Sequence, residues 1–140
     1  MFINIKSQYA NPEVQHIMSC CVYRRSLDAA ISKLQQYRER PTYSLYGWVE
    51  QDVLLGICGF EVHQNNCVDV MHIAVLETSQ KHGVGRKMLD ALQNIFCLPL
   101  KLETDDDAVV FYQKCSFDVV ALDIGGHRRY RCTRNVGLKK

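Results

Sequence analysis

Three apolar runs in the middle of the chain leave little freedom in how it can fold. Tyr43–Glu50, Val53–His63 and Cys67–Leu76 are rich in Val, Ile, Leu and aromatic residues, and only the turn-like Gln51-Asp52 and Gln64-Asn65-Asn66 separate them. Sequential strands joined by turns this short form an antiparallel meander. After Leu76 the period changes. Val84, Met88, Leu89, Leu92, Ile95 and Phe96 make one apolar stripe of a helix from about Gly83 to Phe96. Pro99–Glu103 then predicts a strand, Asp106–Lys114 a helix, and Phe117–Ile124 with His127–Cys132 a strand pair around Gly125-Gly126.

Ahead of the meander, Phe2 to Lys6 alternates like a short strand. Asn11 before Pro12 reads as a helix cap with proline at the first helical position, and Val14, Ile17, Met18, Cys21 and Val22 come after it at helical spacing. A second helix opens at Ser26, with Asp28 in its first turn and Leu27, Ala30, Ile31 and Leu34 on one side, and ends before Pro41. The order β-α-α-β-β-β-α-β-α-β-β predicts an α/β fold with a mixed, mostly antiparallel central sheet of about seven strands and about four helices on its two faces. No repeat or linker divides residues 1–140, which read as a single domain with a short basic end.

Composition narrows the function. With 17 Lys+Arg against 15 Asp+Glu the net charge is +2, too small for a domain whose affinity rests on neutralising many phosphates, so a nucleic-acid partner is not expected. No run reaches the roughly 18–20 apolar residues of a membrane helix, and the start carries no export signal. Seven cysteines, an odd number without a Cys-x-x-Cys pair, suggest reduced thiols packed as small hydrophobes in a cytoplasmic protein. None of the five histidines lies beside them at zinc-finger spacing, so no metal is expected.

The segment Gln80-Lys81-His82-Gly83-Val84-Gly85-Arg86 links a strand to a helix. Glycines at such a turn let the backbone approach a ligand, and the unpaired amides of a helix N-terminus face it with the positive end of the dipole. These features make an anion site, best suited to a pyrophosphate; the plainer reading is a tight turn. It is not a nucleotide P-loop, because Arg86-Lys87-Met88 replaces Gly-Lys-Ser/Thr, nor a dinucleotide fingerprint, because Met88 occupies the third glycine position.

Gln-x-x-Gly-x-Gly does resemble the pattern with which the GNAT superfamily of N-acetyltransferases binds coenzyme A. The resemblance covers roughly Leu45 to Phe117. His72-Ile73-Ala74-Val75-Leu76 looks like the family's fourth strand, whose end pairs with the pantetheine arm. Asp105, Ala108, Phe111, Tyr112 and Phe117 fall where the family usually reads Asn-x-x-Ala-x-x-Phe/Leu-Tyr-x-x-x-Gly-Phe, with Asp105 in place of Asn and Ser116 in place of Gly. The resemblance implies transfer of an acetyl group from acetyl-CoA to a primary amine by direct attack on the thioester. It also implies cofactor contacts from Ile73, Ala74, Val75, Gln80, Lys81, His82, Gly83, Val84, Gly85, Arg86, Asp105 and Tyr112.

Tyr112 matches the family's proton donor to the departing thiolate. Asp69 stands where the histone-acetylating branch carries its catalytic Glu and is the first candidate base, with Glu103 and His72 after it; water-mediated deprotonation stays open. The alternative function is a non-catalytic acyl-CoA-binding or sensing domain. The acceptor, a small molecule or a peptide, is not identified, and a homodimer stays open. Asp105-Asp106-Asp107 reads as the acidic first turn of a helix with one Asp as cap. Arg128-Arg129-Tyr130-Arg131, with Arg134, Lys139 and Lys140, reads as a charged edge strand.

Overall fold

In the computed structural model, which describes residues 1–137, the elements are β1 (Phe2–Asn4), α1 (Pro12–Ser19), α2 (Leu27–Glu39), β2 (Tyr43–Glu50), β3 (Val53–His63), β4 (Cys67–Val75), α3 (Val84–Phe96), β5 (Leu100–Thr104), α4 (Val109–Lys114), β6 (Asp118–Ile124) and β7 (His127–Arg134). Lys139 and Lys140 lie outside the described residues. The Asn11 side chain accepts from the Glu13 amide and that of Ser26 from the Ala29 amide, each satisfying a donor the helix leaves unpaired. Two-residue hairpins at Gln51-Asp52 and Gly125-Gly126 have positive φ at both positions, the backbone twist that such turns need.

One seven-stranded sheet runs β1-β2-β3-β4-β5-β7-β6. The meander and the mixed α/β class are as expected, but the edge-strand reading of Arg128–Arg131 is corrected. The last hairpin folds β7 back between β5 and β6, pairing Leu100 with Arg134 and Thr104 with Tyr130 on one side and Val119 with Cys132 on the other. Arg134 is likewise no part of a diffuse basic end. Its guanidinium bonds Asp90 at 3.0 Å, Gln93 Oε1 at 2.8 Å and the Cys115 carbonyl at 3.1 Å, clasping α3 to the end of α4.

The sheet has a core on each face. Val84, Met88, Leu89 and Leu92 of α3 pack with Tyr112 of α4 against Phe60, Val68, Val70, Leu100 and Leu102. On the opposite face Val14, Ile17 and Met18 of α1 and Ala30, Leu34 and Tyr37 of α2 cover Leu45, Ile57 and Ala74. Tyr37, absent from the expected stripe, is fully buried, whereas Leu27 is exposed at the first turn of α2. Helix α4 starts later than expected, at Val109, because Asp105 first closes a turn by accepting from the amides of Asp107 and Ala108.

Strand β4 carries two irregularities. Its register against β3 shifts between the Gly59–His72 and Phe60–Val70 pairs, so Met71 is an extra residue, a β-bulge. Val68 and Val70 therefore face the α3 core, as do Ile73 and Val75, while Met71 and Ala74 pack on the other side. In addition, β4 pairs with β5 only at Val68–Leu100 and Asp69–Lys101, after which the two strands part.

Opposite the bulge there is no room for a side chain on Gly59. A Cβ there would lie 1.9 Å from the Tyr37 hydroxyl and 2.3 Å from its ring carbon Cζ. Gly59→Ala should displace Tyr37, break its 2.7 Å hydrogen bond to His72 Nδ1, and lower stability by about 3 kcal/mol, measured by urea unfolding.

Candidate active site

The start of α3 departs from ordinary helix design. Its N-cap is Gly83 at φ 80°, where only glycine is unstrained, and no side chain caps it. Its first turn holds no acidic residue but does hold Arg86 and Lys87, beside Lys81 and His82. Positive charge at this end opposes the helix dipole unless an anion is present. Among the described residues, the amides of Lys81 through Arg86 make no close, well-aligned hydrogen bond, and only weak turn contacts run through Lys81–Gly83; the next, Lys87, bonds the Gly83 carbonyl at 3.0 Å. A run of such weakly held donors at one turn is what an anion-binding cradle requires.

The parting of β4 from β5 places a second set of unpaired backbone groups nearby. Past Asp69, β4 is paired on its β3 side alone, through to Val75 opposite Gly56. Gln80 Nε2 donates to the Val75 carbonyl at 3.2 Å, tying the loop to the strand end. The free strand edge and the loop border one cavity of about 560 Å³. Ile73, Ala74 and Val75 line it from β4, Gln80, Lys81, Gly83, Val84 and Gly85 from the loop and α3, and Phe111 and Tyr112 from α4. His82 and Arg86 carry amides of the run but do not line it, and Asp105 is engaged in its turn rather than in the cavity.

Tyr112 is held by edge-on contacts with Phe111 and Phe117 at centroid distances of 5.0 and 5.5 Å. Its hydroxyl makes no hydrogen bond among the described residues and is not a sealed polar atom, and the residue lines the cavity. Burial pushes the phenol well above its ordinary value and keeps the proton on oxygen at neutral pH. The helix ends in a Schellman turn, with the Phe117 amide on the Tyr112 carbonyl and the Ser116 amide on that of Gln113, both at 3.1 Å. Ser116 takes the left-handed position at φ 69°, the physical reason for glycine in the related pattern.

The candidate bases lie elsewhere. Asp69 and Glu103 border a separate charged depression of about 740 Å³ with His63, Lys101 and Arg131. Asp69 Oδ2 is 3.7 Å from His63 Nε2, and Glu103 Oε2 is 4.0 Å from Arg131. His72 is half-buried against Tyr37, and desolvation, with Lys33 nearby, lowers its pKa to about 4. The structure thus brings together the loop, the strand end and Tyr112, but not Asp69 or Glu103.

Sequence reasoning missed Cys20, Cys21 and Phe111 as cavity residues. For Phe111 a signal existed in Gly85, whose Cβ would lie 2.8 Å from the Phe111 ring, so this glycine makes room for a side chain rather than for a ligand. The reading of the cysteines as core filler holds for Cys58, Cys115 and Cys132; Cys20, Cys21 and Cys67 are half-buried and Cys97 is exposed.

Residues 42–119 match the acetyltransferase (GNAT) domain family. The chain belongs to the GNAT acetyltransferases. An uncharacterized N-acetyltransferase of Bacillus methanolicus is 29% identical over 83 residues, spanning 59% of this chain and 68% of that protein. Among solved structures, a GNAT-family protein from Desulfovibrio desulfuricans superposes with a TM-score of 0.79 at 17% identity, covering 98% of this chain and 99% of its own. An aminoglycoside 6'-N-acetyltransferase complexed with coenzyme A gives 0.76 at 13% identity, covering 100% and 99%. The shared GNAT fold agrees with the seven strands and four helices of this chain. No helix among the described residues is long and apolar enough to cross a membrane.

His72 makes the stability of this GNAT fold sensitive to acid. The folded state keeps the ring neutral down to about pH 4, whereas an unfolded histidine protonates near 6.5. Its contribution is complete above that higher value and is lost as the pH falls toward the lower one. Between pH 7 and 4.5 the protein should lose about 2 to 3 kcal/mol more stability than His72→Gln, in urea titrations of both.

Proposed function

We propose that the chain transfers an acetyl group from acetyl-CoA to a primary amine. One observation carries the reading: the uncapped, cationic start of α3, with its weakly held amides, borders the same cavity as the unpaired β4 edge and Tyr112. The donors suit a pyrophosphate, and the free strand edge suits an extended amide-bearing arm that adds as a strand. The coenzyme A held by the aminoglycoside acetyltransferase of the same fold supports that ligand.

In this mechanism the amide run and Lys81 hold the pyrophosphate, Ile73–Val75 align the pantetheine arm, and the thioester lies in the opening between β4 and β5. The amine nitrogen bonds to the thioester carbon, the carbon–sulfur bond breaks, and Tyr112 gives its proton to the departing thiolate. The amine proton leaves through water or Asp69 on the depression side. No enzyme nucleophile is needed.

With acetyl-CoA and a panel of amines, at least one amine should accelerate thiol release. Tyr112→Phe should lower kcat about 100-fold and leave the KM for acetyl-CoA within about twofold. Equal losses in both would overturn the role of Tyr112. Thermal stabilisation by acetyl-CoA, about 2.7 kcal/mol at 100 times Kd, without amine-dependent thiol release would instead establish the acyl-CoA-binding alternative.

A further inference from the structure

A second cluster sits where α1 meets the connection between β4 and α3. His16 and Cys20 lie one turn apart, Cys20 being the residue that ends α1, and Glu77 reaches them from the short turn Glu77–Ser79 after β4. Glu77 Oε1 is 2.6 Å from His16 Nε2 and 3.5 Å from Cys20 Sγ, and all three donor atoms lie within 4.8 Å of one another. We propose that His16, Cys20 and Glu77 bind a divalent cation of the zinc class.

The spacing is close to what such an ion needs. Tetrahedral zinc with ordinary metal–ligand lengths sets nitrogen, sulfur and oxygen donors about 3.4 to 3.6 Å apart. The sulfur–oxygen separation already has that value. The His16–Glu77 hydrogen bond must open by about 0.8 Å, and the imidazole and thiol must draw together by up to about 1.2 Å. These are side-chain movements on exposed groups, His16 and Glu77 being 56% and 49% exposed.

The donor set is selective by its chemistry. Thiolate and imidazole favour zinc over magnesium or calcium, which take oxygen ligands. On binding, Cys20 releases its proton to solvent and its sulfur bonds the metal; the His16 ring carries its one proton on Nδ1, freeing the Nε2 lone pair. Thiolate and carboxylate then neutralise the two positive charges, and water completes the fourth position. Arg25, an exposed side chain, lies near both Cys20 and Glu77 and opposes the cation, so it must move aside as the site fills. Both thiols also meet a backbone carbonyl, Cys20 that of His16 at 3.6 Å and Cys21 that of Met18 at 3.3 Å, but only Cys20 reaches Glu77, so Cys21 is not part of the group.

Occupancy would have a consequence for the neighbouring cavity. Cys20 borders that cavity and Glu77 precedes Gln80 by three residues, so the ion would pin the end of α1 to the segment that carries the amide run. The site itself stands on its own residues, whatever the cavity binds.

Untagged full-length protein, kept reduced with a phosphine, is titrated with Co²⁺ and, by calorimetry, with Zn²⁺. Wild type should develop thiolate-to-cobalt charge-transfer absorption saturating at one ion per chain. Cys20→Ser should lose the band, His16→Gln and Glu77→Gln should each weaken Zn²⁺ binding at least tenfold, and Cys21→Ser and Cys97→Ser should leave both unchanged. Thermal melts of each variant check that it is folded. Absence of the band in wild type, its persistence in Cys20→Ser, or undiminished affinity in His16→Gln and Glu77→Gln would overturn the proposal and leave the trio as a hydrogen-bonded tie between α1 and the turn.

Discussion

The architecture of the site depends on the early parting of β4 from β5. Two residue pairs join them, and beyond Asp69 the strands separate inside the sheet rather than at its edge. Unpaired amides and carbonyls in such a position need water or a ligand, because burying them bare is costly. The gap persists because each strand is committed elsewhere. β4 stays on β3 through Val75, and β5 is drawn away by five paired residues of β7. The bulge at Met71 adds local twist to β4 just where the gap opens.

A gap is useful for chemistry only if its walls are fixed. On one wall Val84, Met88, Leu89 and Leu92 seat α3 on the sheet, which sets the height of the amide run above the strand end. Arg134 then links α3 to the carbonyl of Cys115, the residue that ends α4, and its guanidinium lies 5.3 Å over the Phe117 ring that in turn packs on Tyr112. On the other wall the buried Tyr37 bonds the half-buried His72 beneath the bulge, with Gly59 leaving the space that Tyr37 fills. An arginine that composition alone would count as surface charge and a tyrosine outside the helical stripe thus hold the two faces in register.

Local chemistry was legible in the sequence and long-range pairing was not. The caps at Asn11 and Ser26, the meander boundaries and the glycine turn at Gly83 each depend on a few neighbouring residues, so residue type and spacing sufficed. The place of β7 depends on a partner some 30 residues away, which no pattern within His127–Cys132 encodes. The bulge had a weak local trace in Gly59, a glycine inside a strand, but its effect is displaced onto β4. Strict alternation puts Asp69 and His72 on opposite faces; the extra residue brings them to the same side, where both lie near Tyr37. The loop and Tyr112 border one cavity, a proximity that the family resemblance implied and that no spacing within the chain encodes. Cys20 entered the cavity unannounced, carried by the docking of α1.

The separation of the titratable groups also bears on how an amine could lose its proton. Tyr112, whose phenol burial holds above its ordinary value, is suited to give a proton and not to take one. His72 has a pKa near 4 and one ring nitrogen engaged by Tyr37, so it is a weak acceptor at neutral pH. The carboxyl groups of Asp69 and Glu103 lie in the separate depression, among His63, Lys101 and Arg131. A group that donates on one side and carboxylates that accept on the other give the proposed reaction a direction. The thiolate is protonated from the cofactor cavity, and the ammonium formed at the carbonyl carbon discharges toward the depression. Such a division needs no single residue to touch both reactants, and it makes the width of the β4–β5 gap, rather than the identity of one base, the property on which proton transfer turns.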